Sequence, residues 1–403
     1  VHLITRPRRF GKTLNLSMIR HFFEAPVPGE YGDSTDAPPN APLFNGMSIT
    51  DHPQCSEYMG QYPVIALSFK DAKGASCGEC MEIIKDMLSA EYQRHEYIQN
   101  CEVFRDADKE LFSKILNRKG SSQDCASSIK YLSAWLRRAY NKPVYILLDE
   151  YDTPLHAAYT AGFYDEMIGF IRSFMAQTFK DNPNLKQAVV IGILKVAQES
   201  IFSDFNNPAV STLMDEAMED CFGFTEDEVK EMASHFGLEG EMDGIRNWYN
   251  GYLFGGDMVI YNPWSIVNYL RNPGAGFIPH WINTSSNALV QKMLQMDRAA
   301  SRETVLQLLG GEEIRKKVIN NIAYPQIEKR QEVAWSFLLH AGYLKATDRR
   351  QREYGQDYRL SIPNKEVHTV YSDIIINWLE DELRGGDDFL AFIGGVNELD
   401  PRR

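Results

Sequence analysis

Cysteines and long apolar runs are both scarce in this sequence of 403 residues. The six cysteines lack the regular spacing of a disulfide framework, which argues against a disulfide-stapled secreted fold and favours the reducing cytoplasm. No stretch approaches the roughly 18 uninterrupted apolar residues of a membrane-spanning helix, and no signal-peptide pattern is present. These features predict a soluble, cytoplasmic protein with no membrane partner.

Positive charge is also in short supply, because the formal net charge is -13. Such a surface repels polyanions, so any contact with nucleic acid requires a local basic patch. Hydrophobic residues at 44% and charged residues at 24% are ordinary for a globular protein and exclude a disordered or fibrous chain. The length predicts two or three domains. Because residues 1–5 already resemble a buried strand that begins with Val1 instead of methionine, we expect the natural chain to begin upstream.

What the first part of the chain does contain is an alternation of short apolar runs and longer amphipathic segments. This alternation predicts an α/β fold, in which a parallel sheet is covered by helices on both faces. The predicted strands are 1–5, 63–69, 144–149 and 188–194, with a less regular candidate at 220–224. The predicted helices are 12–24, 80–97, 124–140 and 164–180, with a loop at 25–42 and a further helix that opens after Thr225.

The remaining sequence is predicted to be mainly helical. We divide the chain into a core at 1–225, a helical lid at 226–274 and a C-terminal region at 275–403. Apolar runs at 342–345 and 358–362 suggest a hairpin between helices, which resembles a winged helix. Three arginines at its predicted tip either contact phosphates or are simply solvated, and solvation is the more common role of a charged loop. These arginines are Arg349, Arg350 and Arg352.

The segment from Thr5 to Thr13 has the context of a phosphate-binding loop, because it follows an apolar strand and opens a helix. Backbone amides at such a helix start attract phosphate oxygens. Lys12 is predicted to reach the outer phosphates, Thr13 to coordinate Mg²⁺, and Gly11 to let the backbone approach the ligand. The general pattern has glycine five positions before Gly11, where this chain has Arg6.

Two carboxylates follow the third apolar run, where open α/β sheets place their ligands. Asp149 is predicted to hold the magnesium shell, and Glu150 to orient the attacking water. The alternative is an Asp-Glu pair that only caps a helix. Since this pair occurs together with the upstream loop, we predict a site for ATP and Mg²⁺.

Other polar residues near these motifs have two possible roles each. Lys195 follows the fourth strand and is a candidate sensor of the γ-phosphate, or it pairs with Glu199 along a helix. Arg8 and Arg9 either contact phosphates or pair with an acid such as Asp152. The full set of predicted nucleotide-binding residues is Arg8, Arg9, Phe10, Gly11, Lys12, Thr13 and Leu14, and the predicted catalytic residues are Glu150, Lys12 and Lys195.

Two further motifs lie outside this site. Cys77 and Cys80 have the spacing of a zinc knuckle, but no second pair accompanies them, and a helix start is the simpler interpretation. Aromatic residues beside Asn-Gly and Asn-Pro at 248–252 and 261–265 indicate packed turns more readily than ligand contacts.

The loop Arg6-Pro-Arg-Arg-Phe-Gly-Lys-Thr13 resembles that of the bacterial AAA-ATPase-like family. Further segments resemble those of the same family, namely 148–154, 192–196, 199–203, 248–252, 261–265 and 283–286. The resemblance implies an ASCE/AAA-like P-loop NTPase with strand order 5-1-4-3-2, a helical lid, and arginine at position 6 as a normal feature. Family members often continue into a PD-(D/E)XK nuclease-like domain, whose motif we do not find in this sequence.

We therefore expect an ATP-hydrolysing switch whose lid and C-terminal region pass a nucleotide-dependent change to a partner. DNA or a partner protein is a candidate for that C-terminal contact. The alternatives are a nucleotide- or DNA-binding regulatory module with little or no hydrolysis, and an interaction scaffold that binds no nucleotide. The sequence does not specify the oligomeric state.

Overall fold

A five-stranded parallel sheet forms the centre of the first part of the chain. The computed structural model describes residues 1–26, 38–101, 104–196, 208–281, 298–327, 329–352 and 355–383. Within them the sheet has the order β2-β3-β4-β1-β5. Its strands are β1 His2–Thr5, β2 Val64–Ser68, β3 Val144–Asp149, β4 Leu185–Gly192 and β5 Ala209–Ser211. This order confirms the prediction 5-1-4-3-2 and places the carboxyl ends of β1 and β3 on either side of β4.

The apolar runs form strands because the sheet is covered on both faces. All six residues of β3 are buried, as expected for a central parallel strand. The fourth strand begins earlier than predicted, at Leu185, because its first residues include the exposed Lys186 and Gln187, which carry no apolar signal. It ends at Gly192, two residues earlier than predicted, because a side chain binds the amides of the next two residues instead of a neighbouring strand.

The prediction of the fifth strand was wrong. The edge strand is β5, whose three residues pair with β1 at His2, Leu3 and Ile4. Residues 220–223 form bends, Gly223 has φ 96°, and Phe224 makes one isolated bridge to Tyr261. Phe222 is nevertheless buried in the core. Its apolar signal therefore came from core packing and not from strand pairing.

Helices flank the sheet near the predicted positions. They are α1 Lys12–Phe23, α2 Cys55–Tyr58, α3 Cys77–Arg94, α4 Asp106–Leu116, α5 Ser122–Tyr140, α6 Thr153–Ala161 and α7 Tyr164–Phe179. Cys77 opens α3, where Ser76 Oγ accepts the Glu79 amide, so this cysteine starts a helix as predicted. Of the predicted loop 25–42, residues 27–37 lie outside the described part, and Ala41–Phe44 forms a short 3₁₀ helix.

The outer edge of β2 is covered by side chains from α3. The buried Glu91 accepts the amide of Ala66 at 2.9 Å, and Arg94 donates to the carbonyl of Val64 at 2.5 Å. Arg94 also pairs with Glu91 and with Glu24 of the segment after α1. These contacts satisfy backbone groups that an edge strand otherwise leaves open.

The second half of the chain contains further helices and two small sheets. The helices are α8 Glu226–His235, α9 Met242–Tyr249, α10 Pro263–Arg271, α11 Arg298–Leu309, α12 Tyr324–Ile327, α13 Gln331–His340 and α14 Lys365–Leu383. The strands are β6 Tyr252–Phe254, β7 Met258–Ile260, β8 Ile314–Val318, β9 Lys345–Arg352 and β10 Gly355–Ser361. Helix α8 opens after Thr225 as predicted, with a capping box to Glu228. No helix in the described ranges has the length and apolar character needed to cross a membrane.

The predicted hairpin is present, and it is longer than its apolar signal suggested. Strands β9 and β10 pair from Lys345–Ser361 up to Arg352–Gly355. The three arginines assigned to the tip therefore lie within β9, and Arg350 pairs with Asp348 at 3.3 Å. Strand β8, which the sequence analysis had placed in a helical run, joins β10 as a third strand. The winged-helix comparison stays a prediction.

The chain divides into two compact units that are not continuous in sequence. Unit 1 contains residues 1–223, 254–258 and 318–342, and unit 2 contains 224–253, 259–317 and 343–403. Within unit 1, the ring of Tyr324 is buried beside Tyr159 and Tyr164, at centroid distances of 5.7 and 5.9 Å. A segment from late in the chain thus completes the packing around α6 and α7.

Candidate active site

The loop after β1 has the backbone shape of a ligand cradle. Gly11 caps the start of α1 with φ 77°, and Arg9 is also in the left-handed region with φ 65°. A side chain at position 11 would be strained at this φ, so the glycine is required by conformation. A residue other than glycine at positive φ persists only where its surroundings hold it. The loop is therefore a fixed shape placed at the carboxyl end of the sheet.

Arg6 is a structural brace inside this loop. It is fully buried, and its guanidinium donates to the carbonyls of Met218 at 2.7 Å and Ser211 at 3.1 Å. It also lies 5.4 Å from the ring centroids of Phe222 and Phe254. Burial lowers the pKa of Arg6 to about 10, which leaves it charged at neutral pH. The side chain that replaces the usual glycine thus ties the loop to β5 and the segment after it.

Lys12 is folded into the loop at the start of α1. Its ammonium is buried and donates to the carbonyl of Pro7 at 2.8 Å. Burial lowers its pKa, while the negative charges of Glu150, Asp152 and Asp149 act in the opposite direction. The three carboxylates are therefore close enough to influence the lysine, and the two predicted halves of the site lie together.

A hydrogen bond joins the helix start to the third strand. Thr13 Oγ1 donates to Asp149 Oδ2 at 2.8 Å, and Ser68 Oγ at the end of β2 donates to the same oxygen at 3.4 Å. Burial raises the pKa of Asp149, while these two hydroxyls and the charge of Lys12 oppose that shift. The other oxygen, Asp149 Oδ1, is buried and has no hydrogen-bond partner in the part of the chain that the structure describes.

This arrangement fits a magnesium ion held jointly with phosphates. A hydroxyl and a carboxylate are the two protein ligands that P-loop sites commonly supply, and a buried carboxylate oxygen without a donor is suited to a cation. The described residues contain no group of three or more His, Cys, Asp or Glu side chains that could hold a metal by themselves. The donor set therefore suits an ion that shares its shell with a bound nucleotide.

Glu150 lies in a strained position directly after β3. Its φ is 50°, and its carboxylate accepts the hydroxyl of Thr153 at 3.1 Å. The side chain is partly exposed, whereas Asp149 beside it is buried. Because the backbone changes conformation at Glu150, the two neighbouring carboxylates have different environments. That of Asp149 is buried, and that of Glu150 is accessible to water.

The residues after Glu150 hold the end of β4, a role that the sequence analysis did not predict. The buried Asp152 accepts the amides of Ile193 at 2.9 Å and Leu194 at 3.0 Å. Tyr151 Oη donates to the carbonyl of Leu194 at 2.6 Å and accepts the amide of Val196 at 3.2 Å. We call Tyr151 and Asp152 together the clamp. Its one sequence signal is that these two residues directly follow the two predicted site carboxylates.

Close packing at the clamp depends on Gly192. A Cβ atom at this position would lie 2.6 Å from Asp152 Oδ1 and 2.7 Å from Tyr151 Cε1. Both distances are shorter than such contacts permit, so a side chain here would displace the clamp.

The other predicted site residues are placed as follows. Lys195 is partly buried between the clamped residues Leu194 and Val196, and its carbonyl accepts the amide of Ile322 at 3.1 Å. Its predicted partner Glu199 lies outside the described residues. The ring of Phe10 is fully buried beside Phe254, at 5.3 Å, which leaves its backbone for ligand contact, and Leu14 is 67% exposed.

Arg8 and Arg9 remain open between their two predicted roles. The carboxylate of Asp152, one of the acids considered as a partner, accepts the backbone amides of Ile193 and Leu194.

His156 is neutral near pH 7. Burial lowers its pKa to about 4, and the positive charges of Arg8 and Lys73 act in the same direction.

Comparison with known proteins places the chain in a family. The chain is 23% identical over 376 residues to a protein of Azotobacter chroococcum mcd 1 described as "Uncharacterized protein in vnfD 5'region". The match covers 93% of this chain and 63% of that relative's length. A family model described as "Predicted AAA-ATPase" matches residues 1–202, half of the 403-residue chain. The segments 199–203 and 283–286 lie outside the described residues. The other segments that resemble this family lie within the described residues. The chain belongs to the family of predicted AAA-ATPases.

Proposed function

We propose that the chain binds ATP with Mg²⁺ and hydrolyses it, and that the state of the nucleotide controls the segment after β4. The observation that carries this proposal is the hydrogen bond of 2.8 Å between Thr13 Oγ1 and Asp149 Oδ2, which joins the start of α1 to the end of β3. This contact holds a hydroxyl and a carboxylate side by side, which is the pair of protein ligands that a P-loop site supplies to magnesium. The proposal places the protein in the cytoplasm, where ATP is supplied and cysteines stay reduced.

Each residue of the site then has a defined task. When bound, magnesium neutralises phosphate charge and draws electron density from the bond that breaks. The amides around Gly11 and the ammonium of Lys12 bind phosphate oxygens, and Thr13 and Asp149 hold the metal. Glu150, which is open to water, orients the attacking water molecule and accepts its proton. Burial of Lys12 strengthens its attraction for phosphate, since water screens it poorly there.

The clamp at the end of β4 connects the site to the rest of the unit. Asp152 and Tyr151 fix the path of the backbone up to Val196. Lys195 lies in this stretch and is our candidate sensor of the γ-phosphate. A change in its position on hydrolysis passes directly to Ile322, whose amide binds the Lys195 carbonyl. This is the nucleotide-dependent switch that we propose.

Turnover of ATP in the presence of Mg²⁺ tests the proposal. We expect Glu150→Gln to lower kcat by a factor of about 10² to 10⁴ while nucleotide binding persists, because the base is lost and the cradle is kept. Lys12→Ala is expected to weaken nucleotide binding itself. Glu110→Gln is the matched control, since Glu110 is an exposed acid paired with Lys114 on α4.

Two further variants address the metal. Thr13→Ala and Asp149→Asn each remove one predicted magnesium ligand, so both should raise the Mg²⁺ concentration needed for half-maximal turnover. Unchanged turnover in Glu150→Gln and Lys12→Ala, with both variants folded by thermal denaturation, contradicts the assignment of the active site.

A further inference from the structure

A second candidate site lies in unit 2, in a cavity of about 780 Å³. Its walls are the end of α9, the turn after α11, the facing ends of β9 and β10, and the first turn of α14. The lining residues that matter below are Arg246, Trp248, Glu313, Lys345, Lys365 and His368. The volume falls within the range of sites that bind small ligands, and the ATPase proposal uses none of these residues.

Two aromatic motifs with no part in the proposed ATPase site pack against the start of α14, which is one wall of this cavity. The side-chain Nδ2 of Asn364, just before α14, donates to the carbonyl of Asn250 at 2.7 Å. Gly251 has φ 94°, and a Cβ atom there would lie 2.2 Å from the carbonyl oxygen of Pro363. The motif at 248–252 is therefore packed directly against the start of α14.

The motif at 261–265 reaches the same helix through a buried carboxylate. Glu366 is fully buried and accepts the hydroxyl of Ser265 at 2.8 Å. It also accepts the amides of His280 at 2.6 Å and Trp281 at 2.8 Å. These bonds fix the first turn of α14, so the wall that carries Lys365 and His368 is rigid.

The cavity has a surplus of positive charge on a protein whose net charge is -13. Of its three basic side chains, Arg246 pairs with Glu226 and Asp243, both at 2.8 Å. Lys345 and Lys365 make no side-chain hydrogen bond or ion pair with any described residue. The single acid in the lining, Glu313, already pairs with Arg359 at 3.2 Å. Two lysines are thus left to attract an anion.

Trp248 contributes an aromatic ring to the lining of the cavity. Trp248 is partly buried, and its ring is inclined by 15° to that of Phe277, at a centroid distance of 6.3 Å. A ring backed in this way keeps one orientation and offers a flat surface for stacking. Charged and aromatic groups occur together here, so the ligand should carry both an anionic group and a planar ring.

We propose that this cavity binds a free nucleotide, with its phosphate held by Lys345 and Lys365 and its base against Trp248. A concave site of this volume encloses one nucleotide, whereas a nucleic-acid strand requires an extended basic groove. Arg350, farther along β9 of the same hairpin, pairs with Asp348, which weakens the case for a continuous basic groove along β9. The chain would then have a second nucleotide-binding site in addition to the proposed ATP site.

Calorimetric titration of the whole chain tests this proposal, with AMP, GMP, CMP and UMP as probes. Lys12→Ala serves as the background, so that binding at the first loop contributes little. We expect saturable binding of at least one probe, and Lys345→Gln with Lys365→Gln should weaken it by about tenfold or more. Arg349→Gln with Arg350→Gln is the control, since it removes the same charge from exposed positions in the same unit and should change the affinity by less than about twofold.

Inorganic pyrophosphate separates the two parts of the proposed contact. Trp248→Leu should weaken binding of the best nucleotide and leave pyrophosphate binding unchanged, because only the nucleotide has a base to stack. The absence of saturable nucleotide binding overturns the proposal, as does equal affinity in the lysine variant and the control. Tight binding of a short single-stranded DNA without binding of any mononucleotide also overturns it.

Discussion

At the scale of single residues, Arg6 shows how a buried charge can be kept without a salt bridge to any described residue. Its guanidinium donates to carbonyl oxygens of Thr5, Ser211 and Met218 and lies between two aromatic rings. Carbonyl dipoles and ring faces together replace much of the hydration that burial removes. Arginine at this position is therefore part of the loop's support, and we do not assign it a phosphate contact.

Restoring the common loop pattern with Arg6→Gly should destabilise the protein. The variant leaves buried carbonyls without donors and opens a cavity, and we expect the free energy of unfolding to fall by about 3 kcal/mol or more. Chemical denaturation measures this. The same replacement at the exposed Arg118, which has φ 59°, is the control and should cost less than about 1 kcal/mol. Equal losses in the two variants would show that Arg6 is not a brace.

Some site residues could be predicted from the sequence and others could not. Lys12, Thr13 and Asp149 follow from local patterns, and the structure brings them together. Ser68 could not be predicted to join them, because its contact depends on which strand lies beside β3. Local patterns thus predicted which of these side chains lie together, while the neighbour that the sheet supplies could not be predicted.

At the scale of elements, the clamp of Tyr151 and Asp152 makes the end of β4 depend on the end of β3. The backbone of β4 leaves the ladder at Gly192, and side chains then bind its next polar groups. Buried amides without partners are costly, so the segment keeps this path only while Asp152 is present. We therefore expect that a change in backbone position at the end of β3 also moves the segment after β4.

Asp152→Ala should free the segment after β4. We expect the amides of Ile193 and Leu194 to exchange faster with deuterium, and kcat for ATP to fall by about tenfold to a hundredfold, because Lys195 loses its fixed position. Nucleotide affinity should change by less than about threefold. Asp152→Asn, which keeps an acceptor oxygen, should restore most of the protection. Unchanged amide exchange in Asp152→Ala would remove the basis for the clamp.

The network at the outer edge of β2 predicts a pH dependence of stability. Burial raises the pKa of Glu91, but the charge of Arg94 and hydrogen bonds from His95 and Arg94 outweigh it and lower the pKa to about 2. Because the folded pKa is depressed, the stabilisation is present above pH 4.5, the ordinary value, and is lost as the pH falls from there towards 2.

Glu91→Gln should therefore make the free energy of unfolding depend less on pH in the acid range. We expect the free energy of unfolding to drop by about 3 kcal/mol at pH 7, with a smaller further loss between pH 5 and pH 3 than in the unaltered chain. Urea denaturation at several pH values measures both. Glu82→Gln on the same helix is the control, because the pair of Glu82 with Lys85 is exposed and contributes little. Parallel acid limbs in the Glu91 variant and the unaltered chain would contradict the assignment.

The central strands and most helices were predictable because burial on two faces leaves continuous apolar runs, as in β3. The failures share a physical cause. Strand β5 is three residues long, and β8 has the sequence Ile-Arg-Lys-Lys-Val, so neither contains enough apolar residues to reveal a strand. Pairing with a neighbour makes these segments strands, and local sequence does not contain that information.

At the scale of the whole molecule, residues 318–342 belong to the same compact unit as the phosphate-binding loop. Ile322 binds the backbone at Lys195, and Tyr324 fills the space beside Tyr159 and Tyr164. Sequence patterns did not predict this return of the chain, because contacts between distant segments leave no periodic signal.

Tyr324→Ala should destabilise unit 1 although position 324 is far along the chain from the phosphate-binding loop. Removal of a buried aromatic ring leaves a cavity, and we expect a loss of about 3 to 5 kcal/mol in the free energy of unfolding. Thermal and chemical denaturation measure the loss. Phe236→Ala, at a ring that is 55% exposed, should cost less than about 1 kcal/mol. A cost for Tyr324→Ala no larger than this would mean that residues 318–342 are not needed by the unit.

The covered flank of β2 also limits how copies of the chain can assemble. Glu91 and Arg94 occupy the amide of Ala66 and the carbonyl of Val64, the groups that a further strand would need. A second molecule therefore cannot join its sheet to this one at β2 unless that ion network first comes apart. If ATP drives oligomerisation, the subunits should therefore not pair their sheets through β2 while this network is intact.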